Sequence, residues 1–491
     1  MSISFDNIPT TLRVPFVYAE FDNTNAVSGP ALMPYRNLVI GQRIASGQPV
    51  AALTPIRVTS KAQAKNYFGA GSMLAQMLER QLQNNSVTET WAIALDDEIA
   101  ATAATGALTV GGTVSAGVIY LYIGGRRVKV GVSGDDALSD IASNIVDAIT
   151  ANTDLSVSAA VDGVTAEKVN LTARNKGVAG NDLDIRVNYY EGESLPEGLT
   201  LTITAMSGGQ ANPDIENVWA AIGDEHYNVI TNPYTDAANL TALETELVDR
   251  WGPLRMIEAM AFSASTGTHS ALGTLGDSRN SPHVSIMNGA GSPSPTWEIA
   301  AAVAGKVSYY ANIDPARPFQ TLTLDGILPP KTQDRFTLQE NNLLLFDGIS
   351  TFMVDDGGLV RIQRLITTYK TNPQGAEDIS YLDVNTPLTL GYLRYDFRNY
   401  ILRKYPRHKL GNDSTNYGAG QAIMTPKLGK AEAIARFRVW EEQGLVENID
   451  QFKNDLICER NESDPNRLDW YLPPDLMNQF RVGGAKIGFI L

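Results

Sequence analysis

The sequence predicts an α/β fold, α+β overall, with several domains: a mixed, mainly parallel sheet core, an inserted β-rich domain and extended terminal arms. Strand-like runs alternate with helical patterns over residues 38–94 and 227–311, which is typical of a parallel sheet covered on both faces. Residues 99–212 are rich in Ala, Gly, Thr and Val and poor in aromatics. Both ends of the chain carry apolar, strand-like segments.

Length and charge restrict the function. A chain of 491 residues is too long for one ordinary domain. The net charge of −15 disfavours general binding to nucleic acid. The single cysteine, Cys458, excludes an internal disulfide and a four-cysteine zinc site. The sequence has no signal-peptide pattern at its start and no run long enough to span a membrane, so we expect no direct membrane insertion.

We expect five parts. They are an N-terminal extended arm (1–22), an α/β core domain (23–98 and 213–343), the inserted outer β-rich domain (99–212), a C-terminal domain (344–470) and a C-terminal extended arm (471–491). An insertion of this kind falls in an exposed loop where the two ends lie close together.

In the core domain the patterns predict strands and helices in alternation. The strands are 38–41, 51–58, 90–94, 227–231, 256–261 and 283–287, and the helices are 61–68, 72–83, 216–222, 235–251, 266–277 and 296–311. Ser60 is the expected cap of the first helix. In the β-rich domain we expect short strands, a turn at Gly124 and Gly125, and one helix over 137–151 capped by Asp135 or Asp136.

Residues 344–405 combine a hairpin with a long helix. Two β-like runs, 349–354 and 359–368, flank the turn sequence DDGG. Thr386 and Pro387 suit the start of a helix. Its predicted apolar stripe is Leu390, Leu393, Phe397, Tyr400 and Ile401.

A basic cluster lies on and after this helix: Arg394, Arg398, Arg403, Lys404, Arg407, His408 and Lys409, interleaved with tyrosines. In isolation such a cluster is compatible with nucleic-acid binding. In so acidic a chain, a protein–protein electrostatic contact is favoured.

A second helix, 426–444, has two apolar stripes. Leu428, Ala435 and Val439 form one stripe, and Ala433, Phe437 and Trp440 form the other. Such a helix is either buried in one core or wedged between its own domain and a neighbouring surface. Lys427 and Lys430 stand among these apolar residues.

The terminal segments are candidates for contacts between copies. Val14, Phe16 and Tyr18 alternate as in a strand; the segment is either a frayed terminus or an arm that pairs with another chain. At the other end, Ile487, Phe489 and Leu491 would share one face of a strand. Left unpaired, an apolar strand is an aggregation hazard, which pairing with a neighbour's sheet edge removes.

No catalytic or cofactor-binding motif is present in the sequence. It lacks a phosphate-binding Gly-rich loop and a G-x-S-x-G elbow, and its four histidines have no metal-binding spacing. We therefore expect no catalytic residue, no cofactor and no metal. Cys458 lies in a strand-like run without a nearby histidine, which favours a buried, inert thiol.

Three segments resemble the sheath proteins of contractile bacteriophage tails, most closely the Mu-like type. They are residues 344–405, residues 458–469 (CERNESDPNRLD) and residues 13–22 (RVPFVYAEFD), and the resemblance covers most of the chain. It implies a non-enzymatic, structural virion protein. Many copies would stack as hexameric rings into a helical sheath around an inner tail tube, with the C-terminal region towards the tube and the inserted domain outwards.

Contraction would then drive the tube through the host envelope for DNA ejection. The resemblance also implies baseplate and tail terminator proteins as partners, and assembly in the host bacterial cytoplasm. Our own inference adds that Arg394, Arg398, Lys427 and Lys430 contact the tube. Two alternatives stay open: the sheath of a phage-derived, bacteriocin-like injection device, and a soluble α/β enzyme.

Overall fold

The computed structural model describes residues 33–44, 49–418 and 420–490. It has the predicted fold class, a mixed α/β architecture with one large, mainly parallel sheet. Val14, Phe16, Tyr18 and Leu491, four of the residues predicted to form arms, lie outside the described ranges.

The first part of the described chain contains three strands of the large sheet and two helices. In order, the elements are β1 Arg36–Gln42, β2 Ile56–Arg57, α1 Lys61–Phe68, α2 Met73–Asn84 and β3 Glu89–Leu95. Ser60 caps α1 as predicted, since its side chain accepts a hydrogen bond from the amide of Gln63. The strand predicted over 51–58 is wrong in length: only its end is a strand, because the chain turns at Leu53, whose φ is +56°.

The β-rich block, residues 99–212, contributes seven strands and an α-helix. They are β4 Thr105–Gly112, β5 Gly117–Ile123, β6 Arg126–Val132, α3 Leu138–Ala151, β7 Val157–Val161, β8 Lys168–Ala173, β9 Ile185–Val187 and β10 Leu199–Ser207. Its two antiparallel sheets have the orders β10-β4-β8-β7 and β6-β5-β9. Asp140, rather than Asp135 or Asp136, supports the start of α3, where its carboxylate accepts from the amide of Ala137 at 3.1 Å.

After the block, strands and helices alternate again. The elements are α4 Glu216–Ile222, β11 Val229–Thr231, α5 Ala237–Trp251, β12 Met260–Ser265, α6 His269–Asp277, β13 Val284–Asn288 and α7 Thr296–Ile313. The large sheet has the order β13-β12-β11-β1-β3-β2, and only the edge strand β2 runs antiparallel to its neighbour. The strand expected at 256–261 begins later, at Met260, because Ile257 closes a loop back to Arg250.

The last part of the described chain contains three helices longer than eight residues and several short strand pairs. The elements are α8 Leu338–Phe346, β14 Thr351–Val354, β15 Val360–Arg364, α9 Asn385–Lys404, β16 Lys409–Leu410, β17 Ile423–Met424, α10 Pro426–Glu442, β18 Val446–Glu447, α11 Ile449–Asp455, β19 Ile457–Arg460, β20 Leu468–Tyr471 and β21 Asp475–Leu476. Strands β14 and β15 form the predicted antiparallel hairpin, with Gly358 at φ +77° in its turn.

Packing separates this last part into two regions. The hairpin residues Val360 and Ile362 are buried in one cluster with Val303 of α7, although the sequence grouped the hairpin with 344–470. A second cluster, with Leu393, Phe437 and other side chains from 393–456, lies apart from it. The hairpin joins the core because backbone hydrogen bonds extend from Ser350 and Thr368 to strand β13.

Helix α9 starts and packs differently from the prediction. Its N-cap is Val384 without a side-chain cap, and Thr386 lies inside the first turn. Of the predicted stripe only Leu393 is fully buried, and the buried face also includes polar residues such as Asp396. The helix therefore packs partly through charged and polar contacts, which an apolar stripe cannot reveal.

Candidate assembly surfaces

The β-rich block and the core meet at a buried carboxylate. Glu298 of α7 is almost fully buried and pairs with two arginines, Arg80 of α2 and Arg126 of β6. Burial alone would raise the pKa of Glu298, but the two arginines outweigh it and hold the pKa below its usual value. A lone glutamate in the apolar run TWEIAAAV was the available sequence signal for this contact, and sequence reasoning missed it.

The two ends of the block lie side by side. Thr102 and Gln210 exchange two backbone hydrogen bonds of 3.2 Å each. Away from the ends, Lys65 of α1 and Asp154 form an ion pair at 2.5 Å, and the hydroxyl of Tyr189 donates to the carbonyl of Pro329 at 2.7 Å. The block is thus a two-ended insertion that packs broadly on the core.

The inner side of α9 places one predicted site residue in contact with the core. Arg394 pairs with Glu258, donates to the carbonyl oxygen of Trp251 at 2.8 Å and stacks over the Trp251 ring at 4.7 Å. The His283 ring stacks on the same Trp251 ring, with 4.7 Å between the two ring centroids. Burial, with the nearby Arg394, lowers the pKa of His283 to about 4. Arg394 therefore joins α9 to the core.

A second polar group joins α9 to α10. The buried Asp396 accepts two hydrogen bonds from Arg436 and one, at 2.7 Å, from the indole N–H of Trp440. One turn further on, Glu432 accepts from Lys404 at 2.7 Å and also from Tyr400. Burial would raise the pKa of Glu432, but these donors outweigh it and lower the pKa. Lys404 thus also has a partner within the chain.

Three predicted tube-contact residues remain turned away from these networks. We call Arg398, Lys427 and Lys430 the outward cations: Arg398 and Lys427 are exposed, and Lys430 is half-buried. None of the three forms an ion pair with any residue inside the described ranges. The structure therefore divides the predicted set, with Arg394 paired inside the chain and the other three available to a partner.

The two apolar stripes of α10 have different environments. Ala433, Phe437 and Trp440 are buried in the C-terminal cluster. On the other stripe Ala435 is exposed, and Leu428 and Val439 are half-buried. The second stripe lies beside Lys427, so an apolar strip accompanies the outward cations.

The C-terminal segment is anchored up to Arg481 and free beyond it. Arg481 bonds to Asp383 at 3.1 Å and to Asn385 at 3.2 Å, while Gln320 donates to the carbonyl of Phe480 at 3.1 Å. Residues 482–490, which we call the tail, have no strand pairing and are exposed throughout. Ile487 is 90% exposed and Phe489 is 82% exposed.

The described residues show few features typical of metal binding, membrane insertion or covalent catalysis. Across residues 33–44, 49–418 and 420–490, no three or more His, Cys, Asp or Glu residues are grouped to hold a metal ion. No helix in these ranges is both long and apolar enough to span a bilayer. Cys458 is half-buried, and burial, with nearby Asp413, raises the pKa of its thiol to about 11. At neutral pH this thiol is a weak nucleophile.

Sequence comparison identifies related proteins. Residues 208–368 match the phage tail sheath protein central domain, and residues 376–483 match the phage tail sheath C-terminal domain. Over 492 aligned residues the chain is 43% identical to the Mu-like prophage FluMu tail sheath protein of Haemophilus influenzae, and the alignment covers 100% of both chains.

Solved structures of similar proteins are more distant. A sheath tail protein from Desulfitobacterium hafniense is 13% identical with a TM-score of 0.47, over 94% of this chain and 100% of that one. A sheath tail protein from Listeria innocua is 12% identical with a TM-score of 0.49, over 91% and 93% respectively.

Proposed function

The chain belongs to the phage tail sheath family, and we propose that it is the subunit that polymerises around an inner tail tube and contracts. It is a structural tail protein of a Mu-like phage or a phage-derived device, and it is not an enzyme. As a phage tail component it belongs to the virion. The exposed apolar tail is the observation that supports the proposal of polymerisation, because apolar segments left exposed to water mark sites of contact with a partner.

In the proposed polymer, the tail adds a strand to the next subunit. Ile487, Phe489 and Leu491 would occupy one face of that strand, and main-chain hydrogen bonds would set its register. Each copy would donate its tail to one neighbour and receive a tail from a different neighbour, so the contact would be heterologous and would propagate instead of closing as a dimer. Val14, Phe16 and Tyr18 would form a second such arm. Hexameric rings stacked into a helical sheath are the proposed arrangement.

The outward cations are the proposed contact with the tube. Arg398, Lys427 and Lys430 are cations on a chain with net charge −15, and cations without an ion pair in their own subunit favour an acidic partner surface. Baseplate and tail terminator proteins would hold the two ends of the sheath. Contraction would use no nucleotide, since the extended lattice would be metastable, and it would drive the tube through the envelope for DNA ejection.

The β-rich block is proposed as an outer domain of the sheath, assembled like the rest of the subunit in the host cytoplasm. Replacing residues 99–212 by a short Gly/Ser linker should leave polymerisation intact and give tubes of smaller outer diameter. The adjacent positions of Thr102 and Gln210 allow such a linker, and Glu298 would keep Arg80 as a partner. A soluble, folded variant that never assembles would place the block in the lattice.

The direct test removes residues 485–491. Because the tail makes no strand pairing in the described structure, the truncated subunit should keep its circular dichroism spectrum and its thermal midpoint. Negative-stain microscopy should show tubes for the full chain and none for the truncated chain. Ile487→Asp should act like the truncation, since a charge would be buried without a partner, and Ile487→Val is the matched control that should still assemble. Normal tubes from the truncated chain would refute the role of the tail.

A further inference from the structure

Among the residues that the structure describes, an apolar groove has no assigned occupant. Its volume is about 290 Å³, and it lies between the C-terminal end of α7 and the first turns of α9. Its walls include Tyr35, Trp251, Ile313, Leu388 and Tyr392. Ile313 is 64% exposed, so a large aliphatic side chain faces water there. Apolar and aromatic walls of this kind favour an apolar peptide as occupant.

The described chain begins on the wall of this groove. Met33, the first described residue, is itself a lining residue, and Tyr35 is another. The described part of the chain therefore starts at the groove. The nearest of them, residues 26–32, read AVSGPAL and carry Val27, Pro30 and Leu32. Six residues of extended chain span about 20 Å, so this segment can reach every wall.

We propose that residues 26–32 of the same chain occupy this groove. Tethering at Met33 gives the segment an effective concentration of about millimolar, which a second copy in dilute solution does not reach. The tail is the rival, because its anchor lies nearby: Arg481 bonds to Asn385, which in turn donates to the carbonyl of the groove residue Pro315 at 2.8 Å. The tail is nevertheless exposed over residues 482–490, outside the groove.

This packing has a consequence for the arms. With residues 26–32 held in place, residues 1–22 leave the subunit from a fixed point at the junction of α7 and α9. The groove would then set the direction of the N-terminal arm. The cis packing itself requires no polymer, so it can be tested on the unassembled subunit whether or not the sheath proposal holds.

The single native cysteine allows a clean cross-linking test in the full chain. In a Cys458→Ser background, Val27→Cys is combined with Ile313→Cys on the groove wall. The matched control combines Val27→Cys with Val164→Cys, which is 97% exposed in the β-rich block. A third chain combines Ile487→Cys with Ile313→Cys and reports on the tail. Oxidation of dilute protein is followed on non-reducing gels and by free-thiol titration.

The groove pair should close an intramolecular disulfide about tenfold faster than the Val164 control. Equal rates for these two pairs would overturn the proposal, as would faster closure of the tail pair. Covalent dimers from the groove pair would assign the groove to a second copy. As a second measurement, Val27→Asp should increase acrylamide quenching of Trp251, measured against a Trp251→Phe blank, whereas Val14→Asp should not. Unchanged quenching in Val27→Asp would also overturn the proposal.

Discussion

Two arginines one turn apart on helix α9 have different roles. On the inner side, Arg394 pairs with the buried Glu258 and stacks on Trp251. Four residues later, Arg398 is exposed and has no ion pair within the described part of the chain. At this spacing the two arginines are neighbours on the helix surface, yet one supports the fold and the other is left for a partner. Charge alone therefore does not identify an assembly surface, because the partner of each charge decides its role.

Charge reversal on the inner side should have the largest effect on stability. Arg394→Glu places a second carboxylate against Glu258 and removes the cation from Trp251, so we expect a loss of about 4 kcal/mol in the free energy of unfolding. Urea denaturation measures it. Arg398→Glu is the matched control and should change the value by no more than about 0.5 kcal/mol. Similar losses of unfolding free energy in both variants would show that Arg394 and Arg398 do not differ in their contribution to stability.

Acid should destabilise the inner side through His283. Its pKa is about 4 in the folded chain and about 6.5 when unfolded, so only the unfolded chain binds the proton between these values. The free energy of unfolding should fall as the pH drops from 6.5 to 4, by about 3 kcal/mol from this group. His283→Gln should flatten this part of the profile. In Arg394→Met the fall should be smaller, because a cation that disfavours the charged imidazole is gone.

The contact between α9 and α10 should have an intermediate effect. Glu432→Gln removes the charge that Lys404 and the hydroxyl of Tyr400 share, and we expect a loss of about 2 kcal/mol in the free energy of unfolding. Lys404→Met in the same background tests the coupling: the double variant should lose less than the sum of the two single variants. Strict additivity would show that the contact contributes nothing.

The outward cations should have the smallest effect on stability and a clear effect on assembly. Arg398→Glu combined with Lys427→Glu should leave the unfolding free energy within about 0.5 kcal/mol of the parent chain. Co-sedimentation with the tube protein should weaken, most strongly at low salt, where charges are least screened. Arg398→Gln with Lys427→Gln is the control for loss of charge without reversal. Binding that is unchanged at every salt concentration would exclude these residues from the tube contact.

The arms show how much of the candidate assembly surfaces can be predicted from the sequence. The apolar alternation of the last residues predicts a strand-like segment, and the structure leaves Ile487 and Phe489 exposed and without strand pairing. The groove beside α7 and α9 had no sequence signal, because its walls come from six separate segments of the chain. The partner of Arg394 was equally hidden, since Glu258 lies 136 residues away.

The sequence by itself determined the family, the alternating order of the core, the hairpin at 351–364 with its turn, and the cap of α1. These features depend on local periodicity and on residues close together in the chain, such as Ser60 and Gly358. Only the tertiary structure decided which cations form ion pairs within the subunit, where α9 packs, and that the hairpin joins the core. Those outcomes depend on pairs such as Arg126 with Glu298, 172 residues apart, and the free energy of a charge depends on the partner and burial that folding brings to it.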